Sequence, residues 1–327
     1  MKPSGIGPPA IIPHYALPTR PAHSERPVTG VNIRDARTVI ISRYNSRAST
    51  GLTSLRRLVP AVDFCYFVTS MLKIATWNVN SLRVRLEQVL DWAHEHDPDI
   101  LALQETKLQD EDFPLDVLRT AGFEAVYAGQ KTYNGVALLS RRPASAVISA
   151  LPGMDDDPQR RLLAASYGEL RVINVYVPNG ESVGSEKYRY KLRWLENLAT
   201  FIEDELRNHS RLVVLGDFNI APEPRDVHDP ALWEGRVLFS APEREAFARL
   251  LATGLCDTFR LFDQEENAFS WWDYRMAAFR RNLGLRIDHI LASRELCGRC
   301  RDCRIDKAPR GWQRPSDHAP VAASFEC

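Results

Sequence analysis

From Met71 onward the chain alternates two kinds of hydrophobic pattern. Short, nearly unbroken apolar runs, which mark strands buried on both faces, fall at residues 72–78, 100–103, 135–140, 162–167, 170–177, 212–218, 286–292 and 321–325. Between them lie segments with apolar side chains at helical spacing. Leu82, Leu86, Val89, Leu90 and Ala93 follow a cap at Asn80 or Ser81, and Asp97-Pro98 ends that helix. Leu195, Leu198, Phe201, Ile202 and Leu206 define the inner side of a long helix over 186–208, and another helix is expected over 242–252. Strands alternating with helices predict a layered α/β domain. No linker or short repeat breaks the pattern, so residues 71–327 read as one domain.

The first 70 residues differ. They are rich in Pro, Ser and Arg, poor in acid, and show no sustained period. A mostly apolar patch at 58–69 is interrupted by Asp63 and lies too deep in the chain for a signal peptide. Two readings stand: an organelle transit peptide, or sequence upstream of a true start at Met71. The second is preferred, because the leader is long and lacks an amphipathic face. Disorder is expected either way.

Composition sharpens this picture. An apolar fraction of 44% is enough for a sizeable core. No apolar run approaches the roughly 18–20 residues of a membrane span, so no transmembrane helix is expected. The overall charge of zero conceals an asymmetry. The leader holds nine Lys/Arg and three Asp/Glu, leaving 33 basic against 39 acidic residues from Met71 onward. That excludes a strongly basic nucleic-acid binder. It leaves room for a nuclease whose carboxylates gather around a metal. The six cysteines are too sparse for a disulfide-built scaffold, so reduced thiols in a cytoplasmic protein are expected. Cys297, Cys300 and Cys303 lack a fourth ligand at suitable spacing, which argues against structural zinc.

The chemistry concentrates where strands end. Asn78 closes the first strand, Glu105 follows the second, and the strand near 212–215 runs into Gly216-Asp217-Phe218-Asn219. Arg286-Ile287-Asp288-His289 and Pro315-Ser316-Asp317-His318 come later. One Asp after a strand is usually a turn former. Five such sites suggest convergence on the sheet edge where α/β folds bind ligands. Hard oxygen donors without a Cys or His cluster suit Mg²⁺, with Mn²⁺ as substitute, and Glu105 is the best single ligand candidate.

Thr76-Trp-Asn-Val-Asn80, Leu103-Gln-Glu-Thr-Lys107, Asn174-Val-Tyr-Val-Pro-Asn-Gly180, Gly216-Asp-Phe-Asn219, Arg286-Ile-Asp288 and Pro315-Ser-Asp-His-Ala-Pro320 occur in this order. Together they resemble the endonuclease/exonuclease/phosphatase superfamily. Phe269-Ser-Trp-Trp-Asp-Tyr-Arg275 and Pro309-Arg-Gly-Trp312 narrow the resemblance to the exonuclease III family of apurinic/apyrimidinic endonucleases. It covers essentially all of 71–327 and none of the leader. The resemblance implies a four-layered α/β sandwich, two facing mixed sheets flanked by helices. It implies Glu105 as metal ligand, helped by Asn78 and Asp317, and Asp217 as the base acting on water. Asn219 would orient that water or a phosphate oxygen, and His318, held by Asp288, would donate to the phosphate. Tyr176 would supply a further donor or a phenolate. His289, one place after Asp288, should face away and be structural.

Trp271, Trp272 and Arg275 suit a wedge beside an extruded abasic sugar. Arg189 and Asn179 are further DNA-facing candidates. Basic residues also gather at Arg141-Arg142, at Lys191/Arg193, at Arg280/Arg281, and at Lys307/Arg310/Arg314, of which about half are expected to touch phosphate. The expected activity is Mg²⁺-dependent incision 5′ to abasic sites in double-stranded DNA with trimming of blocked 3′ ends, by a monomer in the cytoplasm. Organelle targeting by residues 1–70 is the lesser alternative. The rivals are a superfamily member acting on a small phosphoester and a catalytically silent DNA-binding protein. The aromatic segment argues against the first and the intact acidic set against the second.

Overall fold

β1 (Met71–Asn78) and β2 (Ile100–Gln104) pair in parallel across the helix α1 (Leu82–His96). The computed structural model describes residues 71–327, and the expectations for the leader lie outside the described residues. The chain continues through α2 (Leu115–Thr120), β3 (Glu124–Ala128), β4 (Val136–Ser140), β5 (Ser145–Ile148), β6 (Leu162–Tyr167) and β7 (Leu170–Tyr176). Then come α3 (Glu186–Asn208), β8 (Arg211–Asp217), α4 (Pro230–Trp233), α5 (Ala241–Ala252), β9 (Leu255–Asp257) and β10 (Asp288–Ser293). The last elements are α6 (Arg294–Cys297), β11 (Cys300–Ile305) and β12 (Val321–Glu326).

Two six-stranded sheets result, in the orders β11-β12-β1-β2-β4-β3 and β5-β6-β7-β8-β10-β9. Each has one central parallel pair, β1 with β2 or β7 with β8, closed by a helical crossover and flanked by antiparallel strands. The sheets pack face to face. Ile74, Ala102 and Leu138 of the first share a core with Leu163, Val172, Val213 and Leu215 of the second. Alternate residues of the same strands point outward. Trp77, Leu101 and Leu139 pack with Val89 and Trp92 of α1. Ile173, Val175 and Val214 pack with Trp194, Leu198 and Ile202 of α3 and with Phe247 of α5. Helix, sheet, sheet, helix is the expected four-layered sandwich. Burial on both faces explains why the central strands carry no polar alternation.

Four strands escaped the sequence reading: β3, β5, β9 and β11. They are the four sheet edges. An edge strand is half-exposed, and its polar positions erase the apolar run that would announce it. The segment Cys300-Arg-Asp-Cys-Arg-Ile305 shows this, with buried cysteines among exposed charges. It forms β11, paired with β12.

The cysteine expectation is corrected in part. Cys256 on β9 and Cys297 on α6 form a disulfide, because β9 pairs with the end of β10 where α6 begins. Cys300 and Cys303 are buried free thiols and Cys327 is an exposed one. Among the described residues the cysteines form no metal-ligand cluster. No helix among them is long and apolar enough to cross a membrane.

A buried polar strut joins the sheets. Gln104 Nε2 donates to Asn174 Oδ1 at 2.7 Å, and Asn174 Nδ2 donates to the Leu103 and Ala137 carbonyls at 3.0 and 2.9 Å. In a low-dielectric interior such a network favours one relative placement of the two sheets, with Gln104 Oε1 left without a partner. Gln104 directly precedes Glu105, and Asn174 lies two residues before Tyr176.

Candidate active site

All the strand-end residues meet at one edge of the sandwich, but not all of them end strands. Asn78 and Asp217 close β1 and β8, and Glu105 follows β2. Asp288 opens β10, whose antiparallel register sets it opposite Asp217. His318 sits just before β12, which runs antiparallel to β1. Each sheet therefore supplies both ends and beginnings of strands to the same place.

Local chemistry shapes the turns. Gly216 has φ +146°, and a Cβ there would lie 1.9 Å from the Val175 carbonyl oxygen, so only glycine allows β7 and β8 to close this tightly. Asp217 Oδ1 accepts from the Asn219 backbone N–H at 2.9 Å, which holds Asn219 in a left-handed conformation, φ 51°. Ser270 Oγ donates to Asp288 Oδ2 at 2.6 Å and accepts from the Ile287 and Asp288 amides. Ser316 Oγ donates to the Asn78 carbonyl at 2.7 Å and accepts from the His318 amide, tying the last loop to β1.

The central side chains form a continuous set. Asn78 Nδ2 donates to Glu105 Oε1 and to Asp217 Oδ2, each at 2.9 Å. Its Oδ1 accepts from the Asn80 amide at 3.0 Å, which fixes the orientation of the carboxamide. Asn78 thus bridges two carboxylates with its NH₂ instead of offering an oxygen to a metal. His318 Nδ1 meets Asp288 Oδ2 at 2.9 Å, and its Nε2 lies 3.7 Å from Asp217 Oδ2. Lys107 Nζ contacts Glu105 Oε2 at 2.8 Å and Asn80 Oδ1 at 2.5 Å.

Asp317 is set further back. Asn80 Nδ2 and Trp271 Nε1 donate to its two oxygens at 2.9 and 3.0 Å. Among the described residues, the group whose ligand atoms all lie within 4.8 Å of one another is Glu105, Asp217 and His318. The oxygens of Glu105 and Asp217 are hard donors that fit magnesium, and Lys107 shows that the Glu105 carboxylate already attracts a cation.

Electrostatics assigns protonation. Burial alone would lower the His318 imidazole, but Asp288 and Asp217 overcome it and raise its pKa to about 10, so the ring is an imidazolium at neutral pH. Burial raises the Asp217 carboxyl, against the pull of His318. Burial acts upward on Glu105 too, but Lys107 overrides it and keeps the group below the ordinary carboxylate value. Tyr176 is pushed well above 10 by burial and by Glu105. As a phenol it can donate a hydrogen bond.

The DNA-facing candidates divide. Trp272 is fully buried, with Nε1 donating to Asn282 Oδ1 at 3.0 Å and its ring edge-on to Phe279, so it cannot be a wedge. Trp271 is half-buried and belongs to the Asp317 shell. The surface of that loop is Tyr274, Arg275 and Met276, the last 75% exposed with φ 58°. Met276 was missed. An apolar Met between Arg and Ala in a polar loop was the available signal. Asn179 and Arg189 are exposed; Asn179 Nδ2 donates to Asn219 Oδ1 at 3.1 Å, while Arg189 Nη1 donates to the Gly184 carbonyl at 2.8 Å.

The basic clusters thin out as well. Arg141-Arg142 follows β4, beside the start of β2 and so at the opposite end of the sandwich. Arg310 is buried against the Ser316 and Trp272 carbonyls. Lys191 is buried. His289 contacts Arg286 Nη1 and the Ile220 carbonyl, both at 2.9 Å, and points away from the site as expected.

The chain is similar to known proteins in sequence and in fold. The model for the Endonuclease/Exonuclease/phosphatase family matches residues 75–318. The chain is 36% identical over 267 residues to exodeoxyribonuclease III of Haemophilus influenzae, covering 78% of this chain and 100% of that protein. A 3′ phosphatase from Neisseria, solved bound to product DNA hairpin, matches with TM-score 0.77 and 48% identity over 78% of this chain and 100% of that one. An AP endonuclease from Archaeoglobus fulgidus matches with TM-score 0.75 and 41% identity over the same shares.

Proposed function

The chain belongs to the endonuclease/exonuclease/phosphatase family as a DNA nuclease hydrolysing phosphodiester bonds, and from that premise we propose that it incises DNA 5′ to abasic sites and trims blocked 3′ ends, using Mg²⁺ or, in its place, Mn²⁺. The observation that carries this is the chain Asp288–His318–Asp217 beside Glu105: a buried imidazolium held between two carboxylates, next to a carboxylate suited to a divalent cation.

Glu105 would hold the divalent cation in this reading, and such a cation would supply Lewis-acid stabilisation of the charge that develops on the phosphate. Asn78 sets the separation of Glu105 and Asp217 through its bridging NH₂. Asp217, its affinity for a proton raised by burial, removes the proton from the attacking water. Asn219 and Asn179 direct their amides at that water and at a phosphate oxygen. His318 donates from Nε2 to the developing anion while Asp288 keeps it charged and oriented, and Tyr176 adds a neutral donor. Asp317 acts one layer out, ordering Asn80 and Trp271. The exposed Tyr274–Met276 tip is the part of the aromatic loop that reaches DNA. The 48% identical 3′ phosphatase supports 3′-end processing and the 41% identical AP endonuclease supports abasic incision.

An end-labelled duplex with one abasic site, incubated with enzyme and Mg²⁺, should yield a cut 5′ to the lesion, and a 3′-phosphate primer should be unblocked. EDTA should abolish both and Mg²⁺ restore them. Trimming without incision would remove the abasic half of the proposal.

A further inference from the structure

Lys191 is a charged side chain with no exposure, on the inner face of α3. Its Nζ contacts three acceptors and no donor: the Asn179 carbonyl at 3.1 Å, the Asn219 carbonyl at 2.7 Å and Glu243 Oε1 at 2.5 Å. Three acceptors demand an ammonium with all its protons. Glu243 is equally satisfied, taking the Leu238 amide on Oε1 and the Ser240 amide and hydroxyl on Oε2. Burying such a pair stabilises a protein little compared with apolar packing, so stability alone is a weak reason to keep it.

The two carbonyls are informative. They belong to Asn179 and Asn219, the two asparagines to which the proposed function gives roles, on loops that follow different strands, β7 and β8. Those side chains touch each other through Asn179 Nδ2 and Asn219 Oδ1. Neighbouring Gly180, φ +95°, has no room for a Cβ without pressing on Lys191 Cδ at 3.2 Å. A helix thus reaches behind the site and pins both loops from their backbone side.

We propose that Lys191 is a positioning residue for cleavage, setting the separation and aim of the Asn179 and Asn219 carboxamides through their backbone carbonyls. The inference rests on the reading that those two amides act on the phosphate and the attacking water. The ammonium is a better fastener than a neutral donor because one compact charge satisfies both carbonyls and the anchoring carboxylate at once.

The test uses the full-length enzyme with Lys191→Met and Glu243→Gln together, so that no unpaired charge is left buried. It is compared on the abasic duplex with Asn179→Ala, with Asn219→Ala, and with the triple variant that adds Asn179→Ala. The expected result is a kcat reduced about 10-fold or more, since small misplacements of orienting groups cost this much. KM should stay within about twofold, as for a group acting after binding. The triple variant should be little worse than its worse parent. Lowered kcat in both asparagine variants with wild-type kcat in the Lys191 variant overturns the inference alone, as do strictly additive losses in the triple variant. Unchanged kcat in the asparagine variants overturns the underlying assignment of those amides and this inference with it. If the Met/Gln pair does not fold, Lys191→Gln with Glu243→Gln, whose shorter amide cannot span both carbonyls, is read by the same criteria.

Discussion

Asp288 holds His318 by Nδ1 at 2.9 Å and thereby leaves Nε2 pointing toward Asp217, 3.7 Å away. The two residues come from opposite sheets, and their contact keeps a fully buried imidazole charged at neutral pH. The burial that would otherwise neutralise the ring sets the consequences of removing its partner.

In Asp288→Asn the raising influence on His318 is weakened while burial still lowers it. The alkaline limb of kcat/KM should therefore move down from near 10, and activity at neutral pH should fall by roughly 10²-fold or more, the usual cost of losing an anion-stabilising donor. A pH–rate profile of the variant decides; an unmoved alkaline limb would show that the imidazolium is not the donor.

Asp217→Asn keeps the size of the side chain, but its single oxygen can serve either Asn78 or the Asn219 amide and it cannot accept a proton. Its kcat should drop by about 10²–10⁴-fold, the range of general-base contributions, with DNA affinity nearly unchanged. Single-turnover cleavage alongside a binding titration separates the two. A kcat within threefold of wild type, taking about threefold as within ordinary mutational scatter, would move the base elsewhere.

Trp272 and Met276 should respond oppositely to truncation. Trp272→Ala empties a buried site and should cost about 3–5 kcal/mol of stability. Met276→Ala touches nothing internal and should change stability by no more than about 0.5 kcal/mol while weakening cleavage of the abasic duplex. Denaturant melts and kcat/KM on the same preparations check both halves.

His289 supplies a stability test. Burial, followed by Arg286, depresses its pKa well below the ordinary 6.5. A depressed pKa means that the unfolded chain takes up the proton first as pH falls. The contribution is present above about 6.5 and is lost at up to ~1.4 kcal/mol per pH unit below it. Melting curves from pH 7.5 down to 5 should therefore show a steeper loss for wild type than for His289→Gln. Parallel slopes would mean that this ring is not held neutral.

Much of the molecule was legible along the chain, for a definite reason. The central strands of both sheets are covered on two faces, so they appear as apolar runs, and the residues that end or open them carry the chemistry. Glu105, Asp217, Asn219, Asp288 and His318 were all readable this way, and helix α3 was readable from its apolar spacing to both ends. The residue order could also place His289 on the far side of β10 from Asp288, because successive strand side chains point to opposite faces.

What the chain order could not decide depends on contacts between distant segments. The edge strands exist because a neighbour offers them hydrogen bonds, which their mixed polar sequences do not announce. Trp271 and Trp272 are adjacent and alike in sequence, yet one joins the Asp317 shell and the other is sealed beneath Phe279, so only packing separates them. Asn78 was expected to offer an oxygen and instead bridges Glu105 and Asp217, because the Asn80 amide claims that oxygen. Lys191 reads as one more surface cation until α3 is laid behind two loops whose carbonyls its ammonium holds together. Residue types and spacing determined which groups were available for catalysis; the folded chain determined which way each one points, because that is set by the hydrogen bonds and packing of its three-dimensional neighbours.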